Sequence, residues 1–404
     1  MDASQDTHRG LRIESLSDRA WWALVLLAAL AVRLVWLVVW EREGYTARYG
    51  YDAYVTIAQH WHGWMQVGSD TTHPPLYAFW AYLVFGVVGR PALLAVQVGN
   101  VLLGSLSCLL VGLWAERVVS RPAGRLAGLW AAFDPLLIFF SVQLQSEPFF
   151  VALELAFFIA LLRAGDPPSS PAAFGLGLLG GIVSLARSVF GLFAPFACAS
   201  LILPSWRRAR SWLWLLMIAG WAAAPSIWGV RNLARHGVFI PFAANGGWNL
   251  WEGFTLDRAE VRRRPHEMAE EISRSGIPAQ DAAAVGEYFA RKTKRFVLDH
   301  PLAAARIVAG KFLLYWRPLP YDPHGPAARA LMGCYFSVLF LLAAAGALSL
   351  AHVPAVRPVF ALFIYLSLLH SVFFTSLRYR TPLEPFLCVF AAAGLLRLLR
   401  ALKR

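Results

Sequence analysis

Runs of about twenty apolar residues recur along the chain, separated by short connections that hold most of its charge. They lie near 21–40, 92–115, 124–142, 147–163, 172–187, 188–204, 211–230, 328–350, 357–375 and 381–397. As α-helix, about twenty residues cover the roughly 30 Å hydrocarbon core of a bilayer. The pattern predicts an all-α polytopic membrane protein with about ten transmembrane helices, and an even count puts both termini on one side. The arginines decide which side. One set of segments holds Arg9, Arg12 and Arg19; Arg117, Arg121 and Arg125; Arg207, Arg208 and Arg210; and Arg397, Arg400, Lys403 and Arg404. The opposite short loops hold far fewer basic residues, so the positive-inside rule places both termini in the cytoplasm. The segment 41–91 becomes a long first external loop and 231–325 a second external segment. Within the first, 74–89 is apolar but short, at about sixteen residues. Counted as a span it would make eleven and put Arg117, Arg121 and Arg125 outside. The charge rule favours a juxtamembrane or re-entrant helix instead.

Composition agrees with this picture. Hydrophobic residues make up 58% of the 404 and charged residues 15%, too little polar surface for a soluble protein of this size. The net charge of +13 would suggest nucleic acid in a soluble domain. Here it follows from cytoplasmic Arg-rich loops, and no nucleic-acid motif is present. Cys108, Cys198, Cys334 and Cys388 sit inside apolar runs without paired spacing, as small buried hydrophobes rather than disulfides or zinc ligands. Residues 1–20 are polar and mixed in charge, unlike a cleavable signal, so the first run is expected to stay as an anchor. No internal repeat is evident, and residues 1–404 read as a single membrane-embedded unit. Arginine supplies 33 of 37 basic residues. That bias often accompanies GC-rich coding, and it points by association to a bacterial inner membrane with the outer loops in the periplasm.

Two carboxylates stand where apolar runs meet water. Asp52 lies in Gly50-Tyr51-Asp52-Ala53-Tyr54 after the first run, and Glu147 opens another in Gln145-Ser146-Glu147-Pro148. A charged acid in lipid costs about 2.5–3.5 kcal/mol or more, so its position asks for a function. The derived topology brings both to the external face. Asp134, before Pro135 and inside a run, is a third costly acid, with Arg33 inside the first run as a candidate partner. Packing, a proton path or a cavity floor would each suit Asp134. The second external segment opens with a glycine-bearing loop, Asn245 to Gly253, continues as a charged helix-favouring stretch over 257–299, and closes with an amphipathic run ending Lys311 to Pro318. Aromatic and basic residues mixed there suit a helix lying on the membrane surface.

Taken together, these residues resemble the GT-C fold glycosyltransferases related to protein O-mannosyltransferases and the lipid A aminoarabinose transferase. The likeness rests on Asp52, Tyr54 and Ala58 in an Asp-x-Tyr-x-x-x-Ala pattern, then His73-Pro74-Pro75-Leu76-Tyr77. Ser146-Glu147, Gly247-Trp248-Asn249-Leu250-Trp251-Glu252-Gly253 and Arg378-Tyr379-Arg380-Thr381-Pro382 follow in the family's order along nearly the whole chain. The resemblance implies transfer of a sugar from a polyprenyl-phosphate donor to a glycan, lipid or protein acceptor, with inversion. The chemistry fits the residues independently. An acceptor hydroxyl or amine needs a base, and Asp52 is assigned that role. Glu147 would orient the acceptor, help bind a divalent metal, or hold a neighbouring Arg; an acid at a helix start before proline is its plain alternative. The short loop before Glu147 has no Asp-x-Asp pair, so the metal is left open. Arg378 and Arg380, with Arg187 as a further candidate, would hold the lipid phosphate, since guanidinium suits phosphate oxygens; snorkelling to phospholipid headgroups is the bland reading. His73, Tyr54, Asn249, Trp251 and Glu252 are expected to line the substrate side, with interface anchoring the alternative for the tryptophan.

Two other classes remain in view. A lipid or sugar transporter would more often show inverted repeats and midplane sites; Asp134 and Arg33 are its best support here. A non-catalytic scaffold displaying 231–325 would tolerate neutralisation of both Asp52 and Glu147.

Overall fold

The computed structural model describes residues 17–49, 53–61, 71–89, 92–165, 168–195, 197, 212–255, 264–319 and 326–403. Asp52 lies outside them. The first apolar run forms α1 (Asp18–Arg42). Short helices α2 (Tyr45–Tyr49) and α3 (Ala53–Gln59) follow, then α4 (Leu76–Val88). Next come α5 (Leu93–Val118), α6 (Arg121–Phe133), α7 (Pro135–Ser141), α8 (Glu147–Arg163) and α9 (Ser170–Ala186). Beyond these lie α10 (Trp212–His236), α11 (Gly246–Thr255), α12 (Arg264–Ser275), α13 (Ala282–Asp299) and α14 (Pro301–Tyr315). The chain closes with α15 (Pro326–Leu350), α16 (Arg357–Val372), a 3₁₀ segment (Leu377–Leu383) and α17 (Glu384–Ala401).

Among the described residues six helices are long and apolar enough to cross a membrane, or seven if the bent pair α6–α7 is one span. The chain is a multi-pass membrane protein, but that measure does not reach the expected ten. Helices α8 and α9 have 17 residues each, about 25 Å of rise. The run near 188–204 opens as a 3₁₀ turn, Ser188–Phe190, because Arg187 leaves the helix in an extended conformation. Helix α4 has 13 residues, about 20 Å, short of the bilayer core.

Without water in the bilayer, close helix packing falls to small residues. Gly177 and Gly181 of α9, one turn apart, press on the backbone of α10 at Met217 and Trp221, where any Cβ would overlap a carbonyl. Gly346 of α15 and Gly394 of α17 do the same for each other's helices. Helix α17 is buried almost continuously from Glu384 to Gly394 and packs against α5, α6 and α15. Helix α1 buries one stripe, Val25, Ala29, Arg33, Leu37 and Trp40, at helical spacing.

An arginine in that stripe is explained by the break in α6–α7. Pro135 has no N–H and cannot continue a helix past its clash with the preceding turn, so the axis bends by 54°. The bend frees backbone carbonyls on one side and N–H groups on the other. Asp134 Oδ1 accepts from the Leu136 and Leu137 N–H groups at 3.0 and 2.9 Å, capping α7. Its Oδ2 accepts from Tyr335 Oη at 2.8 Å, which in turn accepts from Trp130 Nε1 at 3.1 Å. Arg33 donates to the Ala131 and Ala132 carbonyls at 3.3 and 3.1 Å and to Ser141 Oγ at 3.1 Å. The cation therefore meets the negative end of α6 and the anion the positive end of α7. Arg33 and Asp134 serve one structural break from opposite sides.

Removing one side leaves the other's groups buried and unpaired. Asp134→Ala is expected to lower unfolding stability by about 3 kcal/mol, with Asp134→Asn costing clearly less because it keeps an acceptor. Thermal unfolding in detergent would measure both; equal losses in the two variants would refute the capping role.

Candidate functional site

Glu147 is the first residue of α8, followed by Pro148, where a carboxylate favourably meets the positive end of the helix dipole. Burial alone would make it expensive, since the residue has 0% exposure. Two guanidiniums compensate. Arg187, at the C-cap of α9, donates from Nη1 to Glu147 Oε1 at 2.7 Å. Arg378, on the 3₁₀ segment, donates from Nε to the same oxygen and from Nη2 to Oε2 at 3.4 Å. Three chain ends thus converge on one carboxylate: the start of α8, the end of α9, and the segment before α17. The Arg187 guanidinium is further held between rings, 5.8 Å from the Phe150 centroid and 5.5 Å from that of Tyr379. Glu147 and Arg187 are enclosed, whereas the Arg378 side chain keeps 25% of its surface exposed. Among the described residues one carboxylate thus sits between two guanidiniums, and Arg378 forms the exposed edge of the cluster.

Arg380 sits differently. It is fully buried, donates to Glu384 Oε1 at 2.6 Å and to the Arg317 carbonyl at 3.1 Å, and lies 4.5 and 4.9 Å from the rings of Phe336 and Phe340. Two positions along a tight turn separate an arginine at the site from one inside the bundle.

The residues following Asp52 lie beside the start of α8. Tyr54, in the first turn of α3, packs edge-on against His73 at 4.9 Å and against Tyr77 at 5.5 Å. His73 Nδ1 shares a hydrogen bond with Thr72 Oγ1 at 2.7 Å. Tyr77 is fully buried; its hydroxyl accepts from Asn100 Nδ2 at 2.9 Å, and its ring meets Phe149 at 5.9 Å. Asn100 Nδ2 also donates to the carbonyls of Gln143, at 2.6 Å, and Gln145, at 3.3 Å. The Tyr54–His73–Tyr77 cluster is therefore tied through Asn100 to the short loop that delivers Glu147. Asn100 and Phe149 have no special signal in the sequence beyond their place in apolar runs.

Asn249, Trp251 and Glu252 share α11, which packs against α13 with the backbones of Gly247 and Gly286 in contact. Trp251 meets Phe296 edge-on at 6.2 Å and has Lys292 Nζ 4.5 Å from its ring. Met268, Ile272, Val285 and Phe289 form a small separate core beneath Trp248 and Trp251. Burial raises the Glu252 carboxyl above the usual range against a hydrogen bond from Trp248. This unit touches both clusters. The Ala244 N–H donates to the Thr71 carbonyl at 2.8 Å, two residues before His73. At its other end, Gly253 abuts the Phe373 carbonyl, five residues before Arg378.

Among the described residues no three His, Cys, Asp or Glu side chains gather as a cation site. Both Glu147 oxygens accept from arginine, Oε1 twice and Oε2 once.

The arrangement of helices is shared with known structures. The archaeal oligosaccharyltransferase AglB from Archaeoglobus fulgidus, in complex with an inhibitory peptide and a dolichol-phosphate, matches with a TM-score of 0.55 at 13% identity, over 96% of this chain and 52% of that one. The apo form of the A. fulgidus oligosaccharyltransferase matches with a TM-score of 0.55 at 14% identity over the same shares. Its complex with Zn and sulfate gives 0.53 at 12% identity, over 95% and 49%. The chain thus spans about half the length of these neighbours. No family profile and no curated protein sequence matches it. The likeness establishes a common fold, the one expected from the GT-C resemblance.

Proposed function

We propose that this protein transfers a sugar from a polyprenyl-phosphate donor to an acceptor at the external face of a bacterial inner membrane, with inversion at the anomeric carbon. The observation that carries this reading is the Glu147–Arg187–Arg378 cluster, two guanidiniums on one carboxylate with the Arg378 side chain partly exposed. Its partners hold the two guanidiniums in place before any ligand arrives, which is the condition for stabilising charge in a transition state. The fold is in keeping with it: the neighbour of that fold was captured with a dolichol-phosphate in one structure and with sulfate in another. Ten spans, both termini in the cytoplasm and the external face for Asp52 belong to the same reading.

The chemistry follows from the roles. The acceptor hydroxyl or amine attacks the anomeric carbon while Asp52 takes its proton. The bond between that carbon and the phosphate oxygen breaks, and the leaving polyprenyl phosphate gains a second negative charge. Arg378, backed by Arg187, meets that charge with charge-assisted hydrogen bonds. Glu147 does not react; it keeps two like charges side by side. Tyr54 and His73 line the approach to Asp52, and Asn249, Trp251 and Glu252 offer a ring and polar groups to the acceptor. Arg380, bound to Glu384, supports the segment from inside.

The transport reading loses its main support, because Arg33 and Asp134 are both engaged in the helix break.

Purified protein in nanodiscs, given a panel of radiolabelled polyprenyl-phosphate sugars and crude membrane acceptors, would test the reading. Asp52→Asn is expected to lose turnover by at least about 100-fold while retaining donor binding. Unchanged turnover would remove Asp52 from the mechanism, and no turnover of any donor would move transport assays to the front. Glu147→Gln leaves two guanidiniums without their anion, and the expected cost is about 3–5 kcal/mol in thermal unfolding together with weaker donor binding. A variant as stable as wild type would show that Glu147 does not hold the arginines.

A further inference from the structure

The turn that delivers Arg378 is clamped from behind. Helix α16 ends at Val372, and the last carbonyls of a helix have no partner within it. Here the carbonyls of Val372 and Phe373 accept from Lys311 Nζ of α14 at 2.7 and 2.8 Å. The same ammonium lies 4.7 Å from the Phe254 ring of α11. Gly253 approaches that point so closely that a Cβ there would come within 2.5 Å of the Phe373 carbonyl and 2.9 Å of Lys311 Nζ. Three helices, α11, α14 and α16, thus close on one amine. A lysine on a surface helix ordinarily extends to water or headgroups, whereas Lys311 is only 4% exposed.

The grip continues along the segment. Tyr315 Oη donates to the Tyr379 carbonyl at 3.1 Å. The Tyr315 ring stacks on His370, and His370 on Tyr379, the ring that flanks the Arg187 guanidinium. At the end of the helix the Arg317 carbonyl accepts from Arg380 at 3.1 Å. The C-terminal half of α14 therefore holds residues 372–380 from both backbone and side chain, with Lys311 at the upstream end.

We infer that Lys311 is a positioning residue: it fixes the turn at Val372–Phe373 so that Arg378 meets Glu147 and the lipid phosphate, and through Gly253 and Phe254 it makes that geometry depend on the seating of the α11–α13 unit. This rests on the proposal that Arg378 binds the lipid phosphate. It gives the outer unit, which carries Asn249, Trp251 and Glu252, a mechanical connection to the donor end of the site. An acceptor that shifts α11 would shift the phosphate-binding arginine as well.

The test is direct binding of radiolabelled undecaprenyl phosphate to the full chain in nanodiscs, which needs no turnover. Lys311→Met is expected to weaken binding about tenfold, and Lys311→Arg, which keeps two donors, to stay within about twofold of wild type. Gly253→Ala disturbs the same turn while leaving the Lys311 side chain in the protein and is expected to weaken binding to a similar degree; it also carries the test should Lys311→Met not fold. Adding Lys311→Met to Arg378→Ala should cause no further loss, because Lys311 acts through Arg378. If Arg378→Ala weakens binding and both Lys311→Met and Gly253→Ala leave it unchanged, the positioning role is overturned while the phosphate role of Arg378 stands. Additive losses in the double variant would also overturn it, since they place Lys311 on another path. If Arg378→Ala leaves binding unchanged, the phosphate assignment fails and the positioning role falls with it.

Discussion

The bilayer offers no water to an unpaired polar group, so the least costly place for a buried charge is where the backbone itself lacks a partner. That constraint explains why most of its buried charges are found at chain breaks. A continuous helix satisfies its own backbone and has no use for a cation; a broken one exposes carbonyls and N–H groups that need partners. Arg33 and Asp134 sit at the break between α6 and α7, Lys311 at the end of α16, Glu147 at the start of α8 and Arg187 at the end of α9. Glu154 of α8 and Arg231 of α10 are buried within regular helix and fall outside this pattern.

The same logic shapes the candidate site. Two guanidiniums near each other repel, and in a poorly solvated place that repulsion is large. Glu147 offsets it, which lets Arg187 and Arg378 occupy neighbouring positions in the absence of ligand. The arrangement also sets a hierarchy. Arg187 is fixed by Glu147 and by the rings of Phe150 and Tyr379, and so acts as a static charge. Arg378 holds the same carboxylate from the other side and keeps 25% of its side-chain surface exposed.

How much of this is legible in the sequence differs by residue. Apolar runs identify the membrane-crossing character of the chain, because length and composition are local properties, but not the number of spans. The end of α9 is legible too: the runs at 172–187 and 188–204 part where Arg187 turns extended. Glu147 stands out as an acid at the mouth of a span, and holding a neighbouring arginine is one of the roles open to it from sequence. Which arginine is not readable, since Arg187 and Arg378 lie 40 and 231 positions away. Arg378 and Arg380 look equivalent as letters, yet the tight turn between them sends one to the site and the other to Glu384. Arg33 and Asp134 invite pairing by charge; the structure has them serving opposite ends of one helix break. Lys311 has no signal beyond being one of few lysines among many arginines, and its role exists only where three helices meet.

The distribution of small residues completes the argument about precision. Gly253 and Gly247 sit at the two ends of the aromatic α11 motif, and each allows a backbone contact that any side chain would forbid, one against Phe373 and one against Gly286. The motif is thereby seated by main chain at both ends, leaving its tryptophans and Glu252 to face the small core and the space beside it. A glycine contact tolerates little displacement, because no side chain can rotate to absorb it. The α11 unit and the turn before Arg378 are thus packed backbone against backbone, with no side chain between Gly253 and Phe373 to adjust.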